Sequence, residues 1–374
     1  ETEFRAAWIS YYTGDINYQG QQNYMDKIDN ILDTLEYYNM NAMIFHIRAN
    51  HDAWYNSKIN KINSQLIGVD FDVFDPLEYV ITEAHKRGIE FHAWLNPYRI
   101  GSTYGSKQEV ADAYSAYPNN PASNENNVLI GSPLQILDPG IPEVREFIID
   151  TCLEIVENYD VDGLHFDDYF YLNGTTSSDL ENTNFVGKGA YTQSGIDIMN
   201  DWPNYYAYLD DPQNYGKDVF GENGIYGMEP GLNLGDFRRE NINIMMRNIR
   251  KAIDAYNERT GKCVEFGSKP AAVWRSNSEY CTAGSTRCSE NGSNTAEYAY
   301  STYSDLYADS LKWVEEGLVD WVAPQVYYAF EDLYAPYADV VDWWAEQVTR
   351  VNAIRQEEGK KDIRLYIAHG IYKY

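Results

Sequence analysis

Strand-like and helix-like patterns alternate along this chain of 374 residues, and this alternation constrains the fold more than any other feature. Predicted strands occupy residues 6–12, 42–48, 89–96, 162–171, 264–270, 319–328 and 363–372, and predicted helices occupy roughly 22–38, 75–88, 142–158, 236–259, 304–316 and 337–358. Repeated strand–helix units are typical of parallel β/α folds. We expect a (β/α)8 barrel of the TIM type in which the eighth strand is not evident.

A doubly wound α/β sheet is the structural alternative to the barrel. The barrel is favoured because every unit repeats the same order and because polar residues gather where the predicted strands end. In (β/α)8 barrels the active site lies on that face.

Long connections follow four of the predicted strands, and each leaves the carboxyl end of its strand. Long loops in compact domains usually carry function, so we expect these connections to wall a cleft on one face. The four connections are residues 49–74, 97–135, 172–235 and 271–303. We expect a single barrel domain over residues 1–374, with a large insertion at about 172–235.

The predicted fourth strand, D-G-L-H-F-D-D-Y-F-Y at 162–171, combines an apolar face with a polar one. Successive side chains of a strand point to opposite faces. Its apolar side chains therefore share one face, and His165, Asp167 and Tyr169 share the other. An imidazole, a carboxylate and a phenol are thus predicted to converge inside the barrel.

Other predicted strands and loops carry further polar and aromatic residues toward the same place. Aromatic rings with polar handles can stack on sugar rings and hydrogen-bond to hydroxyl groups. The predicted substrate-binding set is His46, Arg48, Asp52, His92, Trp94, Asn96, Tyr98, His165, Tyr169, Trp274, Gln325 and Tyr327. For some of them a structural role is the alternative: His46 and His92 as satisfied core histidines, Trp94 and Tyr327 as filling of the barrel.

Cleavage of a glycosidic bond normally takes two carboxyl groups, one as acid and one as nucleophile or base. Asp167 is the first predicted carboxylate because it lies inward near the end of a strand. Asp168 is adjacent, but its side chain starts toward the other face, and only a twist at the strand end would bring it in. The predicted catalytic set is Asp167, Asp168 and Glu331. Further candidates for the second carboxylate are Asp52, Glu229 and Asp332.

The net charge limits the kinds of partner that this protein can bind, and the cysteine content bears on the cellular compartment in which it acts. The formal net charge is −28 and the pI is about 4.4, so the basic footprint of a nucleic-acid binder is absent and an anionic membrane surface is disfavoured. The only membrane association we expect would come from an anchor outside this chain. Cys281 and Cys288, in C-T-A-G-S-T-R-C, could close a small disulfide loop, which requires an oxidising compartment.

Metal-dependent hydrolysis is the competing enzyme class, and we expect neither a metal nor another cofactor. The F-D-D run is similar to the metal-binding pair of polysaccharide deacetylases, but Tyr169 follows where glycine is usual. The nearest histidine pair, His46 and His51, has the wrong spacing for the matching His-x-x-x-His motif.

Several motifs together closely resemble the bacterial glycosyl-hydrolase-like ten family. They are R-A-A-W-I near the start, A-H-K-R-G-I-E-F-H-A-W-L-N-P-Y-R, L-D-P-G-I-P-E-V-R-E-F-I, E-I-V-E-N-Y-D-V-D-G-L-H-F-D-D-Y-F-Y and W-V-A-P-Q-V-Y-Y. The resemblance covers most of the chain, with 172–235 the weakest part, and it places Asp167 and Asp168 at the family's Asp-Asp.

The resemblance implies a TIM-type barrel, export to the bacterial envelope as a secreted or cell-surface protein, and activity on bacterial glycans. It favours hydrolysis of O-glycosidic bonds in a cell-wall or related polysaccharide, above all in the glycan strands of peptidoglycan. A catalytically inactive glycan-binding barrel is the alternative from another class, and a metal-dependent polysaccharide deacetylase is the third.

Overall fold

Seven parallel strands, hydrogen-bonded in chain order, form one curled sheet at the centre of the molecule. A computed structural model describes residues 3–130, 134–172 and 201–371. The strands are β1 (Ala6–Ile9), β2 (Ala42–Arg48), β3 (Glu90–Leu95), β4 (Gly163–Phe166), β5 (Glu265–Ser268), β6 (Trp321–Val322) and β7 (Arg364–Leu365). A doubly wound sheet would reverse its strand order at a switch point. The uninterrupted order therefore confirms the TIM-type barrel.

Helices cover the outside of the sheet. They are α1 (Gln21–Tyr37), α2 (Pro76–Lys86), α3 (Lys107–Ala113), α4 (Pro142–Asn158), α5 (Trp202–Asp210), α6 (Lys217–Phe220), α7 (Leu234–Thr260), α8 (Thr302–Asp305), α9 (Ser310–Glu315) and α10 (Tyr337–Glu357). None of these helices, within the described part of the chain, is long and apolar enough to cross a membrane.

Side-chain caps decide where two of the long helices begin. Asp75 accepts hydrogen bonds from the first turn of α2, as expected for an aspartate before Pro76. For α7 the sequence favours Asp236 as the cap. The structure instead begins the helix at Leu234, and the side chain of Asn233 accepts from the Asp236 backbone N–H at 2.8 Å. The predicted cap was wrong because the side-chain amide of Asn233, one turn before Asp236, is better placed to accept from the first turn of the helix.

The alternation of side chains along the strands divides the apolar residues into two cores. Outward-facing residues such as Phe45 and Phe91 belong to the large core beneath the helices. Inward-facing residues form a separate cluster that fills the barrel, in which Ile44, Trp94 and Trp321 are buried. The barrel interior is therefore a packed core with a chemically active upper end rather than an open channel.

The curled sheet is open between β1 and β7, because no strand among the described residues pairs with both edges. A cavity of about 1010 Å³ lies there, lined in part by Phe4, Trp8, Trp321 and Tyr366. The ring of Phe4 stacks on that of Tyr366 with centroids 4.6 Å apart. The segment before β1 thus covers part of the opening.

Short sheets, helices and a disulfide order the long connections. Strand Asp52–Ala53 pairs with Lys61–Ile62, an antiparallel ribbon joins Arg99–Gly101, Gln135–Leu137 and Val128–Ile130, and Ser276–Asn277 pairs with Cys288–Ser289. Cys281 and Cys288 form the disulfide that their spacing suggested.

The described part of the largest insertion packs on the helix layer through its own aromatic cluster. Trp202, Tyr205 and Tyr208 pack against Phe237 at the start of α7. Asp201 and Arg238 form a fully buried ion pair beside this cluster, with Arg238 Nη2 2.6 Å from the carboxylate. Residues 173–200 of this insertion lie outside the described part of the chain.

Gly267 on β5 leaves room for the largest side chain of the interior. It pairs with Trp321 of β6, and a Cβ atom at this glycine would lie 2.0 Å from Trp321 Cε2. That contact is far inside van der Waals range, and the surrounding barrel is packed, so the indole has little space into which it can move.

We therefore predict that Gly267→Ala destabilises the protein by about 1–3 kcal/mol through overpacking. Thermal and urea unfolding followed by circular dichroism would measure the change. The double variant Gly267→Ala/Trp321→Phe removes the clashing ring edge and should recover part of the loss. Equal stability of Gly267→Ala and the unchanged protein would contradict the packing described here.

Candidate active site

Three side chains meet at the carboxyl ends of three neighbouring strands. Asp167 follows β4, Lys269 follows β5 and Gln325 follows β6. Gln325 Nε2 donates to Asp167 Oδ1 at 3.0 Å, and the Asp168 backbone N–H donates to the same oxygen at 2.9 Å. Lys269 Nζ lies 3.8 Å from it. Two N–H donors and a cation thus surround one carboxylate oxygen, which stabilises its negative charge.

Lys269 is buried at the upper end of the barrel, between aromatic rings. Its Nζ lies 4.8 Å from the ring centroid of Trp8 and 4.8 Å from that of Trp94. Aromatic faces attract an ammonium group, so the rings and Asp167 together hold the cation in place. The sequence prediction missed Lys269. It lies two residues after Gly267 in the predicted strand 264–270, so alternation alone could have placed both on the inward face.

The carboxyl group of Asp168 points toward Asp167. This is possible because the backbone changes direction at the end of the strand. Strand β4 ends at Phe166, and the Phe170 N–H donates to the Asp168 carbonyl at 3.1 Å, so the alternation no longer applies. Burial, the adjacent charge of Asp167 and a hydrogen bond with it raise the pKa of Asp168 well above its ordinary value. Lys269 and Gln325 act in the opposite direction on that pKa.

The pair therefore offers two different carboxyl groups at one place. Asp167 is surrounded by donors suited to an anion, whereas Asp168 is favoured as a neutral acid that can donate a proton. Two neighbouring carboxyl groups with divergent environments are the usual arrangement for acid–base chemistry.

Two histidines lie below the pair in the barrel interior. The ring of His46 stacks on Trp94 with centroids 3.6 Å apart, and its Nδ1 lies 2.8 Å from Ser10 Oγ. His165 stacks on Trp321 at 5.4 Å. Burial and the nearby positive charge of Lys269 lower the pKa of both imidazoles well below its ordinary value. Both rings are consequently neutral.

His92 lies at the other end of the barrel. It sits two residues before Trp94 on β3, and its Nε2 lies 3.2 Å from Glu90 Oε2. Its ring packs edge-on against Phe4 and Trp321. The sequence predicted that His92 contacts the sugar. Alternation along a strand shows which face a side chain is on but not its height in the barrel, and His92 lies one layer of side chains below the carboxyl ends.

Arg48 and Asn96 tie the ends of β2 and β3 together rather than line a cleft. A β-bulge between His46 and Arg48 breaks the alternation on which the prediction for Arg48 relied. The buried guanidinium donates to the Asn96 carbonyl at 2.7 Å, to the Pro97 carbonyl at 3.0 Å and to Asn60 Oδ1 at 3.0 Å. Asn96 Nδ2 donates to the Ala49 carbonyl at 3.0 Å.

Three loop residues of the predicted binding set are engaged in structural contacts. Asp52 accepts hydrogen bonds from Tyr11 Oη at 3.0 Å and from Asn63 at 2.7 Å, and burial raises its pKa. Tyr98 is fully buried against α7, where its hydroxyl lies 2.9 Å from the sulfur of Met245.

Trp274 is the third loop residue of the predicted binding set. Its indole N–H donates to Asp309 Oδ1 at 2.8 Å, and its ring stacks on that of Trp343 with centroids 5.7 Å apart. Because the chain turns outward beyond β3 and β5, these side chains serve the loops and the helix layer.

The predicted second carboxylates other than Asp168 lie elsewhere. Glu331 is exposed in the turn after β6 and makes no hydrogen bond or ion pair with the aspartate pair. Asp332 accepts from the Tyr334 and Ala335 N–H groups at 2.9 Å and thereby caps that turn. Glu229 is exposed on the insertion. Tyr327, two residues beyond Gln325, is partly buried, and its backbone N–H donates to the Gln325 carbonyl at 2.9 Å.

An aromatic rim borders the aspartate pair. Tyr169, immediately after Asp168, and Tyr12, after β1, are both more than one-third exposed. Arg99 lies against both rings, with its Cζ 4.6 Å from the Tyr169 centroid and 4.4 Å from that of Tyr12. The sequence prediction contained Tyr169 but neither Tyr12 nor Arg99.

Comparison with known proteins places the chain in a glycosyl-hydrolase-like family. The model of the family glycosyl hydrolase-like 10 matches residues 3–361. The chain belongs to this family. It is 31% identical to glycosyl hydrolase YngK of Bacillus subtilis over 382 residues, which cover 100% of this chain and 61% of that protein.

The chain is also similar to glycosyl hydrolase DigH of Escherichia coli strain K12, at 30% identity over 94% of this chain and 66% of that protein. It thus spans less than two thirds of the length of these relatives. Among solved structures, the glycoside hydrolase domain of PgaB (BpsB) from Bordetella bronchiseptica aligns with a TM-score of 0.50 and 13% identity, over 97% of this chain and 84% of that one. That likeness supports the barrel fold.

Groups of potential metal ligands do not converge anywhere in the described part of the chain: no three His, Cys, Asp or Glu side chains lie together as an ion would require. Lys269, beside Asp167, brings a positive charge of its own to the place where a cation would have to bind.

The raised pKa of Asp168 predicts how stability depends on pH. Above about pH 4 the unfolded chain releases the proton that folded Asp168 retains, so the stability of the folded state falls as the pH rises through its raised pKa. Asp168→Asn removes this titration. We expect the variant to be the more heat-stable protein by about 1–3 °C at pH 8 and to gain little near pH 4.

Differential scanning fluorimetry between pH 4 and 8 would measure both melting curves. Asp342→Asn, an exposed change on α10, is the matched control and should show no such trend. A stability difference for Asp168→Asn that shrinks as the pH rises would refute the assignment of a buried, protonated carboxyl.

Proposed function

We propose that this protein is a glycoside hydrolase that cleaves O-glycosidic bonds in a bacterial cell-wall polysaccharide, with the glycan strands of peptidoglycan as the favoured substrate. The observation that carries the proposal is the Asp167–Asp168 pair at the carboxyl ends of the barrel strands. Membership of the glycosyl hydrolase-like 10 family and the names of the relatives support the reaction class.

Asp168 is the proton donor in this proposal. Its raised pKa keeps it neutral where an ordinary aspartic acid would be ionised. When a sugar chain enters the cleft, Asp168 exchanges its hydrogen bond with Asp167 for one with the glycosidic oxygen. Proton transfer to that oxygen then allows the bond between the oxygen and the anomeric carbon to break. Water forms the new bond to the anomeric carbon and gives up a proton that restores Asp168 to its acid form.

Asp167 is the carboxylate that faces the reacting sugar. Gln325 and the Asp168 N–H fix one of its oxygens, which leaves the other oxygen for the positive charge that develops on the anomeric carbon. Lys269, at 3.8 Å, keeps a counter-charge beside it throughout. Lys269 and Gln325 are positioning residues, because they act on the sugar through Asp167.

The surroundings of the pair suit a carbohydrate. Tyr12 and Tyr169 expose ring faces that can stack on sugar rings, and the neutral floor of His46 and His165 adds no competing charge. The disulfide between Cys281 and Cys288 is typical of oxidising compartments. It supports the further proposal that the protein acts outside the cytoplasm, secreted or attached to the cell surface.

One observation favours the second candidate function, a glycan-binding barrel without catalysis. Asp167 and Asp168 are hydrogen-bonded to each other, whereas the carboxyl groups of most glycosidases lie about 5–10 Å apart across the scissile bond. If Asp168 does not leave Asp167 when sugar binds, the pair would bind a glycan without cleaving it.

Release of reducing ends from purified peptidoglycan strands, chitin oligomers and α-glucans separates the two functions. We expect Asp168→Asn to lower the rate by about 10²–10⁴-fold through loss of the acid, and Asp167→Asn to be similarly impaired. Glu331→Gln, a matched change at an exposed acidic residue, should behave like the unchanged protein. If none of the proteins releases reducing ends but all of them bind sugar equally, the glycan-binding barrel would be the function that remains.

A second prediction concerns Lys269. Its charge lowers the pKa of Asp168, so Lys269→Met should shift the alkaline limb of the profile of kcat/KM against pH to higher pH while lowering the maximum. Lys269→Arg retains the charge and should keep the limb near its original position. A lower maximum with an unmoved limb in Lys269→Met would indicate that Lys269 serves packing alone.

A further inference from the structure

Arg99 is a buried cation that has no anionic partner among the described residues. Only 6% of its surface is exposed. Its Nη2 donates to the hydroxyl of Tyr12 at 2.5 Å, while its buried Nε has no hydrogen-bond acceptor. No carboxylate of the described part of the chain lies within 4 Å of it. A buried guanidinium without an anion is energetically unfavourable, so it is uncommon away from functional sites.

Other arginines in the described part of the chain have an acceptor that Arg99 lacks. The buried Arg48 donates to the Asn96 carbonyl at 2.7 Å, and the buried Arg145 donates to the Pro139 carbonyl at 2.9 Å. Arg238 has Asp201 at 2.6 Å, and Arg287 has Asp305 at 2.8 Å. In a protein of net charge −28 acidic groups are abundant, yet within residues 3–130, 134–172 and 201–371 none lies within 4 Å of Arg99. Its charge is instead held by the rings of Tyr12 and Tyr169, which supply attraction but no hydrogen-bond acceptor for Nε.

Arg99 lies beside the aspartate pair. Tyr169, which its guanidinium contacts, is the next residue after Asp168. The positive charges of Lys269 and Arg99 both act on His46 in the floor of the site. Lys269 is already engaged with Asp167 at 3.8 Å. Among the described residues around the pair, Arg99 is therefore a cation without a carboxylate that a ligand could use.

We propose that Arg99 binds a carboxylate carried by the glycan, in a subsite next to the bond that is cleaved. The inference rests on the proposed function and narrows its substrate class to acidic glycans. A guanidinium edge suits a planar carboxylate, with which it forms charge-assisted hydrogen bonds. The rings of Tyr12 and Tyr169 hold that edge in a fixed orientation, which lowers the entropy lost when the anion binds.

The test compares two sources of such a carboxylate: N-acetylmuramic acid, through its lactyl ether once the peptide has been removed, and the uronic acids. The test therefore uses four glycans. They are peptide-free peptidoglycan strands, the same strands with every carboxylate reduced to a primary alcohol, chitin oligomers, and hyaluronan oligomers as the source of uronic acid.

We expect the unchanged protein to cleave the native strands with a kcat/KM about 10–100-fold above that for the reduced strands, the effect of one charge-assisted hydrogen bond. Arg99→Met should lose this preference by slowing the native substrate alone, and Arg99→Lys should keep part of it. Arg350→Met, which removes an exposed positive charge on α10, is the matched control and should retain the full preference. Preference for hyaluronan over the native strands would assign the subsite to uronic acids.

Equal cleavage of native and reduced strands by the unchanged protein would overturn the inference and leave the hydrolase proposal intact. Equal slowing of both substrates in Arg99→Met would also overturn it, because Arg99 would then act on the aspartate pair rather than on the glycan.

Binding separates this inference from the proposed hydrolysis. Calorimetric titration of Asp168→Asn, with and without Arg99→Met, should show weaker binding of the native strands in the double variant and no change for the reduced strands. If no glycan is cleaved but this difference is seen, the hydrolase proposal fails and the carboxylate subsite stands. Identical affinities for native and reduced strands would refute the subsite.

Discussion

The alternation of side chains along seven parallel strands governs this protein. One set of residues packs under the helices and the other fills the barrel, so each strand contributes to two cores at once. The register of neighbouring strands then sets the height of every inward side chain. Asp167, Lys269 and Gln325 meet because each is the first or nearly the first inward residue beyond its strand. The site is thus a product of the pairing that holds the sheet together.

Charge within the barrel is distributed sparingly. Lys269 faces Asp167, and the aromatic rings of Trp8 and Trp94 complete the surroundings of the ammonium group. Burial, aided by that cation, lowers the pKa of His46 and of His165, while burial and the adjacent Asp167 raise the pKa of Asp168.

Periodicity in the sequence predicted the strands and most of the helices, because burial on one or both faces leaves a repeating pattern that a short window reveals. It also predicted that Trp94, His165 and Asp167 face inward. It failed where alternation stops: a bulge turns Arg48 away, and the chain beyond β3 carries Tyr98 into the helix layer.

Other features of the site are not encoded by pattern. The height of His92 in the barrel depends on strand stagger. The contact between Arg99 and Tyr12 joins two loops that are distant in sequence, and neither segment carries a pattern that predicts the contact. The turn that brings Asp168 to Asp167 lies just beyond the end of β4, where the alternation of strand side chains no longer applies.

The close approach of Gly267 and Trp321 also limits how such a sequence can diverge. Any side chain at position 267 requires a smaller ring at position 321 first, whereas a smaller ring alone leaves a cavity that the barrel can tolerate. The two positions can therefore change in one order only. Among distant descendants of this chain, a residue other than glycine at 267 should occur only in lineages that have already lost the tryptophan at 321.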